Sequence, residues 1–310
     1  VNQERDTDSW FAEAPFGGYQ QRYRVRERLH AETTRWQTLE VLDLEAVGRA
    51  LILANTLQTS VGDEFTYHEP LVHVPMLAHP NPRRVLIIGG GDGGALRHVL
   101  LHSSVEHVVE VEIDRAVVDQ ARRLLPEISA RAYDDPRCEL VIADGAAFVA
   151  HTSDRFDVIL IDSTDPVGPA APLVQDEFLS NLDAALAPSG IANMQSGSPL
   201  TQPREWRATV RACQRNFAIV KPYFGQVPIY PGVQWSWTAV SDELDPTAID
   251  EITVLARLKG FADQLRVYNP GLHRAAFAMP TYLRRLLELD HEPDSADLRA
   301  LGHPLPRVVD

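Results

Sequence analysis

Apolar and polar positions divide this chain into two stretches of different rhythm. From residue 84 to about 216, short apolar runs alternate with segments whose apolar residues recur at helical spacing. RRVLIIGG, HVVEVEID, RCELVIAD, RFDVILIDS and GIANMQS read as strands. Between them, GALRHVLLH, RAVVDQARRLL, GAAFVAH, QDEFLSNLDAALA and REWRATVRACQRN read as helices. Strand–helix alternation of this kind predicts an α/β doubly wound parallel sheet. Near-continuous apolar strands such as VLII and VILI suit a sheet buried on both faces. AIVKPYFGQVPIY and VQWSWTAVSD add a closing pair of edge strands.

The first 80 residues follow a different pattern. YQQRYRVRERLHAETT, WQTLEVLDL and GRALILANTLQTS suggest short strands broken by turns, hence a small N-terminal β-strand domain. The proline-punctuated HPNPRR marks a boundary. The expected organisation is residues 1–80 as this β domain, 81–290 as the catalytic unit and 291–310 as a loose, polar, proline-bearing extension.

Composition adds exclusions. The formal charge of −14 at pH 7 disfavours nucleic acid and anionic membranes and favours cationic ligands. Two cysteines in unrelated contexts, Cys138 and Cys213, form neither a disulfide framework nor a metal cluster and fit a reducing cytoplasm. The eleven histidines show no metal-ligand spacing. The polar start VNQERDTDSW lacks an apolar signal core, and no apolar run approaches bilayer-spanning length.

GGGDGG, directly after the first parallel strand, fits the dinucleotide spacing through Gly89, Gly91 and Gly94, with Glu112 closing the next strand. Asp92 argues against a dinucleotide. A carboxylate about 4 Å from a phosphate costs on the order of 4 kcal/mol at an effective dielectric of about 20. A cationic ligand would instead be attracted, unless Asp92 simply caps the following helix. Glu112 could take both ribose hydroxyls, with Asp114 better suited to capping. Asp144, in IADG, could accept from the exocyclic amine of adenine or serve as a cap, and Gly145 would allow close approach. Three acids with no lysine or arginine describe a nucleoside pocket that suits S-adenosyl compounds. A second cluster, DSTDPVGP, places Asp162 and Asp165 at its mouth, in a loop shaped by Pro166, Gly168 and Pro169. Carboxylates there could hold an ammonium and take its proton as the nitrogen attacks carbon bound to a sulfonium, with no metal.

Taken together, WFAE, WQTLEV, LQTSVGDEFTYHEPLVHVPMLAHP, VLIIGGGDGGALR, VEID, YDDPR, ADG, DSTDPVGP, PIYPG and YNPGLHRAAFAMP resemble the spermidine synthases, or polyamine aminopropyltransferases, along nearly the whole chain. The resemblance implies a methyltransferase-like Rossmann domain behind a small β domain, assembled as homodimers or homotetramers. It implies transfer of the aminopropyl group of decarboxylated S-adenosylmethionine, a co-substrate, to putrescine, giving spermidine and methylthioadenosine without cofactor or metal. Asp165 matches the residue that deprotonates the amine, assisted by Asp162. Tyr67, His68, Tyr230 and Gln58 match positions on the amine side. Gln37, Gly89, Gly91, Asp92, Glu112, Asp144 and Gly145 match the donor side. Asp92 would grip the aminopropyl ammonium and repel the carboxylate of ordinary S-adenosylmethionine. Two departures stand out: His98 replaces a common glutamate, and Ile229 a common threonine, with Gln234 and Trp235 following at the expected channel wall. Cadaverine, agmatine or spermidine are alternative acceptors. The competing readings are a methyltransferase on the same scaffold, a non-catalytic polyamine-binding protein and, last, a nicotinamide dehydrogenase.

Overall fold

A computed structural model describes residues 9–16, 18–165 and 168–309. The polar segment 1–8 and Pro166 lie outside the described residues. Two sheets organise the chain. The N-terminal one is a five-stranded antiparallel meander: β1 (Trp10–Phe16), β2 (Tyr19–Thr33), β3 (Thr38–Leu44), β4 (Gly48–Leu53) and β5 (Thr56–Ser60), in that order. Its second strand is one 15-residue element where short strands were expected. Its irregular register with β3 shifts at two places, which lets so long a strand bend with its partner. The turn into β5 uses Ala54 and Asn55 at φ of 49° and 64°.

The second sheet contains β6 (Arg84–Gly89), β7 (His107–Glu112), β8 (Cys138–Ile142), β9 (Phe156–Asp162), β10 (Leu186–Gln195), β11 (Ile219–Gln226) and β12 (Gln234–Ser241). Its order is β11-β12-β10-β9-β6-β7-β8. Strands β6 to β10 run parallel, and β12 is antiparallel to both β10 and β11. The doubly wound prediction holds for the parallel strands. The two last strands are not both at the edge: β12 inserts beside β10 and leaves only β11 outside. That position accounts for the burial of nearly all of QWSWTAVS. The chain builds β6, β7 and β8 outward, then returns across β6 to lay down β9. The reversal leaves a crevice at the carboxyl ends of β6 and β9, where doubly wound sheets bind ligands.

One helix was not legible in the sequence. α1 (Phe65–Ala78) contains Pro70 and Pro75 and is buried on almost every face. Without a polar side it carries no amphipathic signature. Pro75 has no N–H for the carbonyl of Leu71, and Asn193 Nδ2 takes that carbonyl at 2.8 Å. The Tyr223 hydroxyl donates to the Pro70 carbonyl at 2.9 Å, a second tie between α1 and the sheet. Pro75 is tolerated because the sheet supplies the missing donor. The end of the chain also differs from expectation. Residues 291–309 are docked: helix Ser295–Leu301 has a capping box from Asp294, and Leu298 is buried with Trp206, Leu283 and Leu286. Arg204, Arg207 and Arg211 donate to carbonyls in 286–293, fixing its approach.

α1 packs on α2 (Gly94–Leu100) through a chain of buried imidazoles. His73 Nδ1 meets His102 Nε2 at 3.0 Å, and His73 Nε2 meets His98 Nδ1 at 3.1 Å. Burial pushes all three below the ordinary histidine range, His102 to about 3. These rings are neutral in the fold but charge in the unfolded chain near pH ~6.5. Their contribution is therefore full above that pH and lost as pH falls below it. Between pH 7 and 5 the urea midpoint should drop, and His102→Asn should flatten the dependence by about 1.4 kcal/mol per pH unit. Equal slopes for both proteins would show that His102 titrates normally.

Candidate active site

The crevice is built around the glycine turn. Gly89 ends β6 directly opposite Asp162 on β9. A Cβ at Gly89, where φ is +80°, would sit 2.2 Å from the Asp162 carbonyl oxygen. Only glycine permits that approach, and the Gly90 N–H then donates to the same carbonyl at 2.8 Å. Gly91 is equally confined: a Cβ there would lie 2.9 Å from Glu112 Oε2. The turn thus brings three acids, Asp92, Glu112 and Asp162, around one cavity.

Asp92 does cap, as its alternative reading held: Oδ1 accepts the Gly94 N–H at 2.7 Å. It also lies 3.5 Å from His68 Nε2, while His68 Nδ1 meets Glu64 Oε2 at 2.8 Å. Arg97 completes the cluster by binding Glu64 Oε1 at 2.7 Å. Burial alone would disfavour charge on both central groups. The Asp92 and Glu64 carboxylates nonetheless hold His68 well above the ordinary histidine range. Against burial, His68, the Gly94 N–H and Arg97 hold Asp92 below the ordinary carboxylate range. An imidazolium therefore stands behind an ionised Asp92. His68 touches the cavity, but both its ring nitrogens face acids, so it braces Asp92 rather than meeting an amine. The flanking motif divides its work by residue: Glu69, fully buried, accepts the N–H groups of Arg266, Val267 and Tyr268 at 2.6–2.8 Å.

Glu112 accepts the Asp114 N–H at 2.8 Å, and Asp114 caps α3 (Arg115–Leu124) as expected of it. Burial pushes Glu112 up to about 7. Asp144 is both a cap and a cavity residue, with Oδ1 on the Ala147 N–H at 3.1 Å. Gly145 lines the cavity beside it, and packing adds a second demand for glycine: an added Cβ would lie 2.4 Å from Ile88 Cγ2. Gln37 and Trp36 close the same chamber from the N-terminal sheet.

A second chamber adjoins the first through Gln58, Tyr67, Ser163, Thr164 and Tyr230. Asp162 belongs to the first chamber and Asp165 to the second. Burial pushes Asp162 up to about 6. Burial also raises Asp165, with Gln202 Nε2 donating to it at 2.7 Å. The Tyr67 hydroxyl donates to Asp162 Oδ1 at 2.8 Å, and the Tyr230 hydroxyl to the Gln58 carbonyl at 2.7 Å. With their protons committed, both hydroxyls offer only lone pairs inward and suit N–H donors. Trp235 lines the wall against Tyr230, with centroids 4.4 Å apart; Gln234 does not. Two residues without an assigned role join them. Gln202 holds Asp165. Glu13, from WFAE, enters the chamber with Oε2 buried and unpartnered, and burial pushes it up to about 7. The signal for Glu13 in the sequence was its place in the WFAE motif. No lysine or arginine lines either chamber among the described residues.

Residues 64–250 match the spermine/spermidine synthase domain, and residues 9–60 match the spermidine synthase tetramerisation domain. The chain belongs to the spermine/spermidine synthase family. It is 38% identical over 283 residues to a polyamine aminopropyltransferase of Caldicellulosiruptor bescii, covering 91% of this chain and 99% of the relative. A spermidine synthase solved with the transition state analogue AdoDATO superposes with a TM-score of 0.87 at 34% identity, covering 93% of this chain and 98% of that one. The Thermotoga maritima spermidine synthase gives 0.85 at 33%, with the same coverage. In this family member the charged His68 is open to direct test. A histidine nitrogen NMR titration should find His68 charged well above pH 7, and Glu64→Gln should move its midpoint downward. A wild-type midpoint at an ordinary histidine value would refute the bracing of Asp92.

Proposed function

We propose that the protein transfers the aminopropyl group of decarboxylated S-adenosylmethionine to putrescine, giving spermidine and methylthioadenosine. The observation that carries this reading is the pair of joined chambers walled by carboxylates and lacking any fixed lysine or arginine. The substrates it favours are a cationic nucleoside without phosphate and a cationic amine. On the donor side, Glu112 takes the ribose hydroxyls, Asp144 and Gly145 the adenine, Gln37 the nucleoside and Asp92 the aminopropyl ammonium, with Gly89 and Gly91 shaping the turn beneath it.

On the acceptor side, the first requirement is loss of a proton from the attacking ammonium. Asp165 accepts it, with Asp162 beside the reacting nitrogen and the lone pairs of Tyr67 and Tyr230 orienting the remaining N–H groups. Raised carboxyl pKa values bring both acids closer to neutrality, where proton acceptance is matched to the operating pH. The freed lone pair then attacks the propyl carbon attached to sulfur. A C–N bond forms, the C–S bond breaks, and its electrons return to sulfur, neutralising the sulfonium. The proton on the carboxylate leaves to solvent. No group outside the two substrates and these side chains enters the balance. Glu13 at the far wall suits the distal ammonium of a diamine, and the aromatic rings of Tyr67, Tyr230 and Trp235 suit its methylenes.

The matched tetramerisation model supports a homo-oligomer. No described helix is long and apolar enough to cross a membrane, and two free cysteines accord with a cytoplasmic setting. We keep the division into a strand unit to about residue 80, a catalytic unit over 81–290 and a terminal extension.

Incubation with the decarboxylated donor and a panel of amines, with products identified by mass, should yield spermidine and methylthioadenosine from putrescine. Product from another amine only would replace the acceptor, and no amine-dependent methylthioadenosine would reject the reaction. Asp165→Asn should lower kcat by about 10²–10⁴-fold with methylthioadenosine affinity retained. Because Glu112 must be ionised to accept two hydroxyls, methylthioadenosine binding should weaken as pH falls from 8 to 6. Glu112→Gln should bind weakly with little pH dependence; a wild-type affinity constant across that range would contradict the ribose role.

A further inference from the structure

The acceptor chamber is closed by loop 227–233, which carries Tyr230 and leads to Trp235. The loop folds tightly on itself: Tyr230 N–H donates to the Val227 carbonyl at 3.0 Å, and Val233 N–H to the Tyr230 carbonyl at 2.9 Å. Gly232 and Val233 adopt φ of +79° and +64° to complete the reversal. Such a loop has little apolar anchorage of its own beyond Val227 and Ile229, both buried. Its orientation is set by polar contacts from elsewhere.

Those contacts converge on Ile229, next to Tyr230. Its N–H donates to Asp63 Oδ2 at 3.0 Å, and the Ser60 hydroxyl fixes the other oxygen of Asp63 at 2.6 Å. Its carbonyl accepts from Gln21 Nε2 at 2.6 Å and, more distantly, from the Tyr23 hydroxyl at 3.5 Å. Gln21 also donates to the Tyr23 hydroxyl. Beyond Tyr230, the Gly232 N–H donates to the Tyr19 hydroxyl at 3.2 Å. Tyr19, Gln21 and Tyr23 alternate on β2 and therefore share one face of that strand. Tyr230 itself is tied to the Gln58 carbonyl of β5. Among the described residues, the side-chain and Gln58 carbonyl anchors of the loop thus come from the N-terminal sheet or from the segment just after it. The donor pocket shares none of the three β2 residues.

We propose that Tyr19, Gln21 and Tyr23 on β2, with Asp63, are positioning residues for the acceptor: they clamp Ile229 and Gly232, and so set the placement of the Tyr230 hydroxyl. The N-terminal sheet then has a role in amine selection besides the assembly role named by its matched model. A clamp on a main-chain N–H and C=O is insensitive to the side chain at 229, so isoleucine there leaves Tyr230 in place. The clamp residues line neither chamber; the loop they hold meets the first only at Tyr230 and the second at Tyr230 and Pro231, so loss of the clamp should weigh more on the acceptor than on the donor.

The proposal rests on the acceptor occupying the second chamber, and its test first requires amine-dependent methylthioadenosine release by the wild-type protein. Absence of that release would fail the functional reading itself. Gln21→Leu should then raise the acceptor KM about tenfold, the scale of one hydrogen bond, with methylthioadenosine affinity within about twofold of wild type. Tyr23→Phe, which keeps the ring, should shift acceptor KM in the same direction by less and serves if Gln21→Leu does not fold. In a Tyr230→Phe background the effect of the β2 substitution should shrink to less than about twofold, because the group it positions is gone. An unchanged acceptor KM, equal losses for both ligands, or full additivity with Tyr230→Phe would each overturn the proposal.

Discussion

The carboxylate of Asp92 stays anionic at the bottom of a mostly apolar crevice because a buried imidazolium stands behind it. That pairing is costly on its own, since both charges are removed from water. It is sustained by a chain of partners: Arg97 on Glu64, Glu64 on His68, His68 on Asp92 and the Gly94 N–H on Asp92 again. The members come from three separate places: the residue before α1, α1 itself, and the glycine turn with α2. The local electrostatics therefore requires α1 to lie against α2, and the imidazole chain from His73 to His98 and His102 joins the same two helices one turn further along. We propose that this fixed negative charge, in a turn that elsewhere greets phosphate, redirects the scaffold towards a sulfonium nucleoside.

Around that charge the site divides into two chemically similar halves with different supports. The donor half is carried by the parallel sheet, where strand ends place Glu112, Asp144 and Asp162 without help from distant loops. The acceptor half is assembled from the Asp165 loop, α1, loop 227–233 and the first two strands of the chain. Burial raises its acids, Asp165 and Glu13, and also Asp162 in the adjoining donor chamber, which favours the uptake of a proton. Asp92, in contrast, is held down. Carboxylates of similar sequence context thus serve as a grip or as a base according to whether a cation stands beside them.

The sequence made the parallel strands legible because β6, β7 and β9 are almost continuous apolar runs bounded by acids and glycine. The candidates at strand ends and in the glycine turn, such as Glu112, Asp144, Asp162 and Asp92, were reachable for a related reason: such places fix local position by number, whereas Gln37, Gln58 and His68 came from the family resemblance. Motif order then supplied the tyrosines, whose spacing alone would have read as core. Other features depend on contacts remote in sequence and were not legible. α1 hides its helical nature behind two prolines, and the carbonyl that Pro75 leaves without a donor is taken by Asn193 from the sheet. The docked tail is held by three arginines about 80 residues earlier. The packing of Gly145 against Ile88 and the pairing of His68 with Asp92 and Glu64 are likewise set by contacts that local sequence does not display. Glu13 was given no role because its motif, WFAE, lies about 150 residues from Asp165, with which it shares a chamber only in the fold.

The central claim is that Asp92 reads the terminal ammonium of the donor. Calorimetry of wild type and Asp92→Asn with the decarboxylated donor and with methylthioadenosine, which lacks that ammonium, tests it most directly. The account predicts that the substitution weakens the donor at least tenfold more than methylthioadenosine. Equal weakening of the two ligands would contradict it.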